Sequence, residues 1–167
     1  MHPLQSRSAS IHTNRFTFAL ELGFYAGLIW GGIRWFFYAF NFTSVLPGFL
    51  LEPFFKHSFL ESTAGQLAGW LSFIVLSVAA SLLYVLLFLK AKGPWPGIAY
   101  GIVWWVLLFI VLNRLLQWSA PVKLLTWDTN ISEMCLFLLW GLFIGYTTAV
   151  EYTDEKLRDG KGVLSRS

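Results

Sequence analysis

Four long apolar runs constrain this chain more than any other feature. They cover about residues 16–40, 66–89, 95–118 and 131–151. About 20 residues at a rise of 1.5 Å per residue cross a hydrocarbon core of about 30 Å. Each run is therefore long enough to span a bilayer as a single helix. Only 13% of the residues are charged, whereas a soluble domain carries about 25%. The pattern predicts an all-α fold: a polytopic membrane protein with four transmembrane helices in a bundle. Residues 1–15 form a polar N-terminal segment, 16–151 the transmembrane domain and 152–167 a polar, frayed C-terminal tail.

The stretch NFTSVLPGFLLEPFFKHSFLEST separates the first two runs. It is rich in Phe and Leu but is interrupted by Pro47, Gly48 and Pro53, and it is too charged and too short to span. It reads as an interfacial outer loop with a short helical piece. The N-terminus carries Arg7 and Arg15 ahead of an apolar stretch, as a signal peptide does. That stretch exceeds the roughly 7–15 residues of a signal-peptide core and no small-x-small site follows it, so the first helix is expected to stay uncleaved.

Orientation follows from the basic residues. With the N-terminus inside, the inner side holds Arg7, Arg15, Lys90, Lys92, Lys156, Arg158, Lys161 and Arg166, against Lys56 and Lys123 outside. Both termini are expected in the cytoplasm. Trp35, Trp70, Trp118 and Trp127 then fall at the outer interface and Trp95 at the inner one. The net charge of +3 is spread along the chain without a basic stripe, which excludes a nucleic-acid partner. The lone Cys135 forms no intrachain disulfide and no cysteine metal site.

Every span carries glycines four apart: Gly23, Gly27 and Gly31; Gly65 and Gly69; Gly97 and Gly101; Gly141 and Gly145. Residues four apart share a helix face, and glycine lets two backbones approach closely in lipid. Packing within one bundle, homo-oligomer contacts or a moving joint all fit this spacing.

Two charges sit within the first span, Glu21 and Arg34. Helical geometry sets them about 140° apart around the axis and about 20 Å apart along it, so they do not pair. Arg34 falls within about 20° of the face bearing Gly23 and Gly27, on the packed side near the outer end. An outer carboxylate should meet it there, with Glu133 the first choice and Glu52, Glu61 and Asp128 the others. Arg114, flanked by Asn113 and Gln117, lies at similar depth on the third span, so a polar cap or an anion site is expected. Glu21 points the other way, with Tyr25, Leu28, Gly32 and Trp35. It requires protonation, a partner such as Lys90 or Lys92, or a wet cavity.

Catalytic patterns are missing. His2, His12 and His57 lie outside the spans, and no H-E-x-x-H, G-x-S-x-G or Walker-type motif occurs. No catalytic residue, metal ligand or cofactor site is expected, and the chain reads as no enzyme.

The stretches GFYAGLIWGGIRWFFYAFNFT, LEPF, WPGIAYGIVWWVLLFIVLN and CLFLLWGLFIGYTTAVEY resemble the YqhR family of small conserved membrane proteins of Bacillus-like bacteria. The WPGI…YG opening of the third span and the aromatic-Gly-x-x-x-Gly-Tyr…Glu-Tyr close of the fourth are the most specific features. The resemblance covers about residues 23–152, and it implies four helices in the bacterial plasma membrane. It implies no reaction and supplies no catalytic residues.

Two functional readings follow. One is a non-enzymatic protein in the lipid bilayer that assembles with itself or with another membrane protein. The other is a small transporter or proton-coupled exporter using Glu21. Four short spans with an acid in the first are similar to small multidrug exporters, which work as dimers sharing a glutamate. This chain is longer, has a large outer loop, and sets its acid nearer the inner surface.

Overall fold

The computed structural model describes residues 14–88, 93–112 and 127–164, the last stretch with side chains to residue 152. Asn14 caps the first helix, its side chain accepting from the Phe16 N–H at 3.2 Å. From there α1 runs Arg15–Ala39. A 3₁₀ turn, Phe49–Leu51, and the single turn α2, His57–Leu60, follow in the connecting loop. Helix α3 spans Thr63–Phe88, and α4 spans Trp95–Val106 and continues as a π-helical stretch, Leu107–Leu112. Pro94 and Pro96 suit the opening of α4, where the first N–H groups have no helical acceptor. Helix α5 runs Trp127–Leu164. Among the described residues four segments are long and apolar enough to cross a membrane: Arg15–Ala39, Thr63–Phe88, Trp95–Leu112 and Trp127–Tyr152.

These four helices run up-down-up-down as two tight pairs. On α1, a Cβ placed on Gly23 would come within 2.5 Å of Val78 Cα, and one on Gly27 within 2.5 Å of Ile74 Cα. Gly31, a turn further on, accommodates the Trp70 ring of α3, so the helices are antiparallel. In the second pair a Cβ on Gly97 would lie 2.7 Å from Gly141 O, and one on Gly145 2.5 Å from Gly97 Cα. Gly101 faces the Phe137 carbonyl. Backbones meet here because no side chain stands between them.

Trp140 of α5 is fully buried where the two pairs join, and its indole N–H donates to Ser77 Oγ of α3 at 3.1 Å. Around it lie Phe73, Tyr100, Trp104 and Phe137, with ring centroids 5.7–6.4 Å from its own. The Tyr100 hydroxyl donates to the Ala80 carbonyl at 2.7 Å, tying α4 to α3. In lipid such bonds have no competing water, so each helps fix how one pair sits on the other.

The structure departs from the sequence expectation at three places. The loop after α1 does not only lie along the membrane face. Thr43, Val45, Leu46 and Phe49 are buried, and the backbone at Gly48 packs against Gly69. Gly65 likewise faces the backbone at Phe59 and Leu60. The glycines opening α3 therefore receive this loop rather than another helix. Second, α5 starts at Trp127, a turn before the expected start, with Asp128 in its first turn complementing the helix dipole. Third, the helix continues past the span to Leu164 instead of fraying after residue 151. The segment TDEKLR contains strong helix formers with Asp154 and Arg158 spaced i,i+4, so propensity outweighs polarity there.

Candidate functional site

Arg34 lies five residues before the end of α1, on the face that packs against α3, and is 1% exposed. Glu133, also 1% exposed, lies in the second turn of α5. The two meet as an ion pair, Arg34 Nη2 to Glu133 Oε2, at 2.8 Å. The other carboxylate oxygen accepts from the Thr43 hydroxyl at 2.7 Å. Thr43 Oγ1 in turn accepts from the Val45 N–H at 3.2 Å. Thr129, a turn before Glu133, accepts from the Ser44 N–H at 3.3 Å. One arginine on α1, three loop residues and two residues of α5 thus form a single clasp.

Aromatic rings surround the cation. The guanidinium carbon sits 4.0 Å from the centre of the Phe49 ring, and Phe73, Phe109 and Phe137 stand at 6.0, 6.0 and 5.9 Å. These rings come from the loop, α3, α4 and α5. A desolvated cation gains from ring faces at about 6 Å or less, and a guanidinium suits stacking better than an ammonium. Among the described residues Nε and Nη1 of Arg34 meet no acceptor, and Nη2 faces Glu133 Oε2 as a close charge contact rather than an aligned hydrogen bond. The pair is sealed by rings, with both carboxylate oxygens engaged. It joins α1, the loop and α5.

The remaining acids on this end are elsewhere. Glu52 and Glu61 flank the His57 ring at 3.8 and 3.5 Å. Burial pushes the Glu52 carboxyl above its ordinary range, and the neighbouring His57 draws it partway back. Asp128 lines a shallow hollow of about 380 Å³ with Asn41 and Ser132. Arg114, with Asn113 and Gln117, lies outside the described residues, as do Lys90 and Lys92. Among the described residues no group of three His, Cys, Asp or Glu side chains is placed to hold a metal.

Glu21 stands apart from the clasp. It is exposed on α1, on the side away from Gly23 and Gly27, beside exposed Phe24 and Tyr25. No described residue pairs with it.

The sequence reading missed Thr43 and the aromatic ring set. Thr43 had no signal beyond being a hydroxyl in a loop. The rings did have one: Phe73 is four residues after Gly69, Phe137 four before Gly141 and Phe109 eight after Gly101. Each continues a glycine row along its helix face.

With the geometry in hand, comparison with known proteins gives a consistent answer. The family model described as "Conserved membrane protein YqhR" matches residues 4–162. The chain belongs to the YqhR family. One relative, the "Uncharacterized protein YqhR" of Bacillus subtilis (strain 168), is 36% identical over 144 residues, covering 84% of this chain and 81% of that protein. The YqhR match extends beyond the spans to both polar ends, which the residue resemblance alone did not reach. No solved structure matches. The YqhR description names a membrane protein and no reaction, so function has to be argued from the arrangement of residues.

Proposed function

We propose that this protein is a non-enzymatic, multi-pass protein of the bacterial plasma membrane that binds another membrane protein along the outward face of α1. The observation that carries this reading is Glu21. Its carboxylate lies about 9 Å along α1 from Arg15, is exposed, and has no partner among the described residues of its own bundle. An acid facing acyl chains at that depth is costly, and a donor from a neighbouring span would satisfy it. The glycines do not compete for this role. Eight of the nine face backbone of their own chain and Gly31 faces Trp70, so they leave no small-residue seam for a partner.

A transporter would require water to reach Glu21. Neither the groove between α1 and α3 nor the hollow at the start of α5 includes it among its lining residues. That favours contact over transport.

The test is a photo-crosslinking amino acid at Leu28, about two turns from Glu21 on the same face, with Val75 of α3, 69% exposed, as the control position. Adducts to a protein are expected at position 28 and not at 75. They should survive Glu21→Gln, whose amide still bonds, and vanish in Glu21→Leu. An adduct of twice the chain mass would identify a second copy as the partner. Adducts to lipid alone at both positions would defeat the proposal.

The orientation belongs to the same proposal: both termini face the cytoplasm and the loop from Asn41 to Thr63 faces outward, as the distribution of basic residues supports. Cysteines at Ser58 and Ser165, in a Cys135→Ala background, report it. In intact cells a membrane-impermeant thiol reagent should label position 58 and leave 165 unlabelled. The reverse pattern would invert the protein.

A further inference from the structure

We propose that the groove between the start of α1 and the end of α3 is a binding site for an anionic phospholipid, with the headgroup phosphate on Arg15 and an acyl chain along the groove. The groove encloses about 480 Å³, within the roughly 300–1,000 Å³ typical of small-molecule sites. Its lining includes Arg15, Phe16, Ala19, Leu82, Val85 and Leu86. Ala19 is fully buried and Val85 5% exposed, so they form the floor. Phe16 and Leu86, 60% and 79% exposed, form open walls facing the surrounding lipid.

The cause of the groove lies in the sequence. At Gly23 the backbones of α1 and α3 touch, but a turn earlier Ala19 fills only part of the space. What remains is an apolar slot that opens sideways into the bilayer, where the abundant apolar occupant is a lipid tail. Its mouth is cationic. Arg15 is exposed and forms no ion pair among the described residues, and the first turn of α1 carries no acid to neutralise it. Basic residues at the mouth of a pocket between spans favour anionic headgroups. An apolar slot with a cation at its rim matches a phospholipid of net negative charge better than a zwitterionic one. This inference does not rest on the role given to Glu21.

The experiment uses the full chain, stripped of lipid in detergent, with phosphatidylglycerol and phosphatidylcholine of identical tails as probes. Bound lipid is counted by native mass spectrometry, and the melting temperature is followed as lipid is added. Phosphatidylglycerol is expected to bind and to raise the melting temperature saturably, and phosphatidylcholine to do so much more weakly. Arg15→Gln should weaken phosphatidylglycerol about fivefold, the factor corresponding to about 1 kcal/mol for one basic residue near the surface, while leaving phosphatidylcholine unchanged. Leu86→Trp places a larger ring at the groove wall, away from the cation, and should weaken both lipids. Equal responses to the two lipids would overturn the proposal. So would unchanged phosphatidylglycerol binding in Arg15→Gln, or unchanged binding of both lipids in Leu86→Trp. Both positions are exposed, so neither variant disturbs the contact between the helices.

Discussion

Arg34→Leu and Glu133→Leu should each lower folding stability by about 3–5 kcal/mol, the usual cost of removing one member of a buried ion pair. The loss arises mainly from the group left behind. With Glu133 gone, a guanidinium that is 1% exposed retains four aromatic neighbours but no counter-charge. With Arg34 gone, Glu133 keeps the Thr43 hydroxyl at 2.7 Å but must otherwise hold a carboxylate away from water. In the double substitution neither charge remains and two leucines pack among Phe49, Phe73 and Phe137. That variant should be more stable than either single one, because an apolar replacement of a buried pair is often nearly neutral. Thermal unfolding of the four proteins in one detergent measures the cycle. Losses that simply add would show that the two residues act independently, contrary to their contact at 2.8 Å.

What the clasp contributes is position. It joins α1 to α5 across the divide between the two helix pairs, and it draws the first half of the loop inward through Thr43 and Phe49. Ring packing alone tolerates sliding, whereas a guanidinium and a carboxylate meet well at one register only. At this end of the bundle, then, a polar contact sets how far each helix reaches towards the surface.

Much of this arrangement was legible in the chain. The spans follow from runs of apolar residues that only a bilayer-crossing helix can satisfy, and the inward face of α1 follows from Gly23, Gly27 and Arg34 sharing one side at helical spacing. Glu133 could be singled out because depth narrows the acids available to an arginine near the outer end of its span. The start of α5 was misjudged because WDTN is polar, although Asp128 is a good first-turn residue. The loop was harder. Its fold depends on Gly65 and Gly69 leaving room for backbone at Phe59 and Gly48, and periodicity within one helix does not say whether a helix or a loop fills such room. Likewise, glycine spacing gave the faces but not the pairs: that α1 takes α3 and α4 takes α5 follows from short connections only in part, and from matching surfaces for the rest.

Alanine at Gly141 is expected to cost about 1–3 kcal/mol, as inserting a methyl group into a filled site does. The added Cβ would lie 2.5 Å from both Gly101 N and Gly97 O. Those are backbone atoms of α4, so no rotamer change relieves the clash and the whole helix must move. Gly27→Ala meets the same obstacle at Ile74 Cα, 2.5 Å away, and should cost a similar amount, with Gly27→Leu costing more. Gly32 supplies the contrast on the same helix. Its nearest neighbour would be Trp70 Cζ2 at 3.4 Å, an ordinary contact with a ring edge. There alanine removes backbone freedom from the unfolded chain without a clash, which should stabilise the protein by about 0.4–1 kcal/mol. The three alanine variants therefore differ in sign, and Gly27→Leu differs from Gly27→Ala in size. Thermal unfolding in detergent reads them, with helix content by circular dichroism separating loosened packing from lost helix. A Gly141→Ala protein that melts with the wild type would mean that α4 and α5 are not held backbone to backbone, and the second helix pair would lose its physical basis.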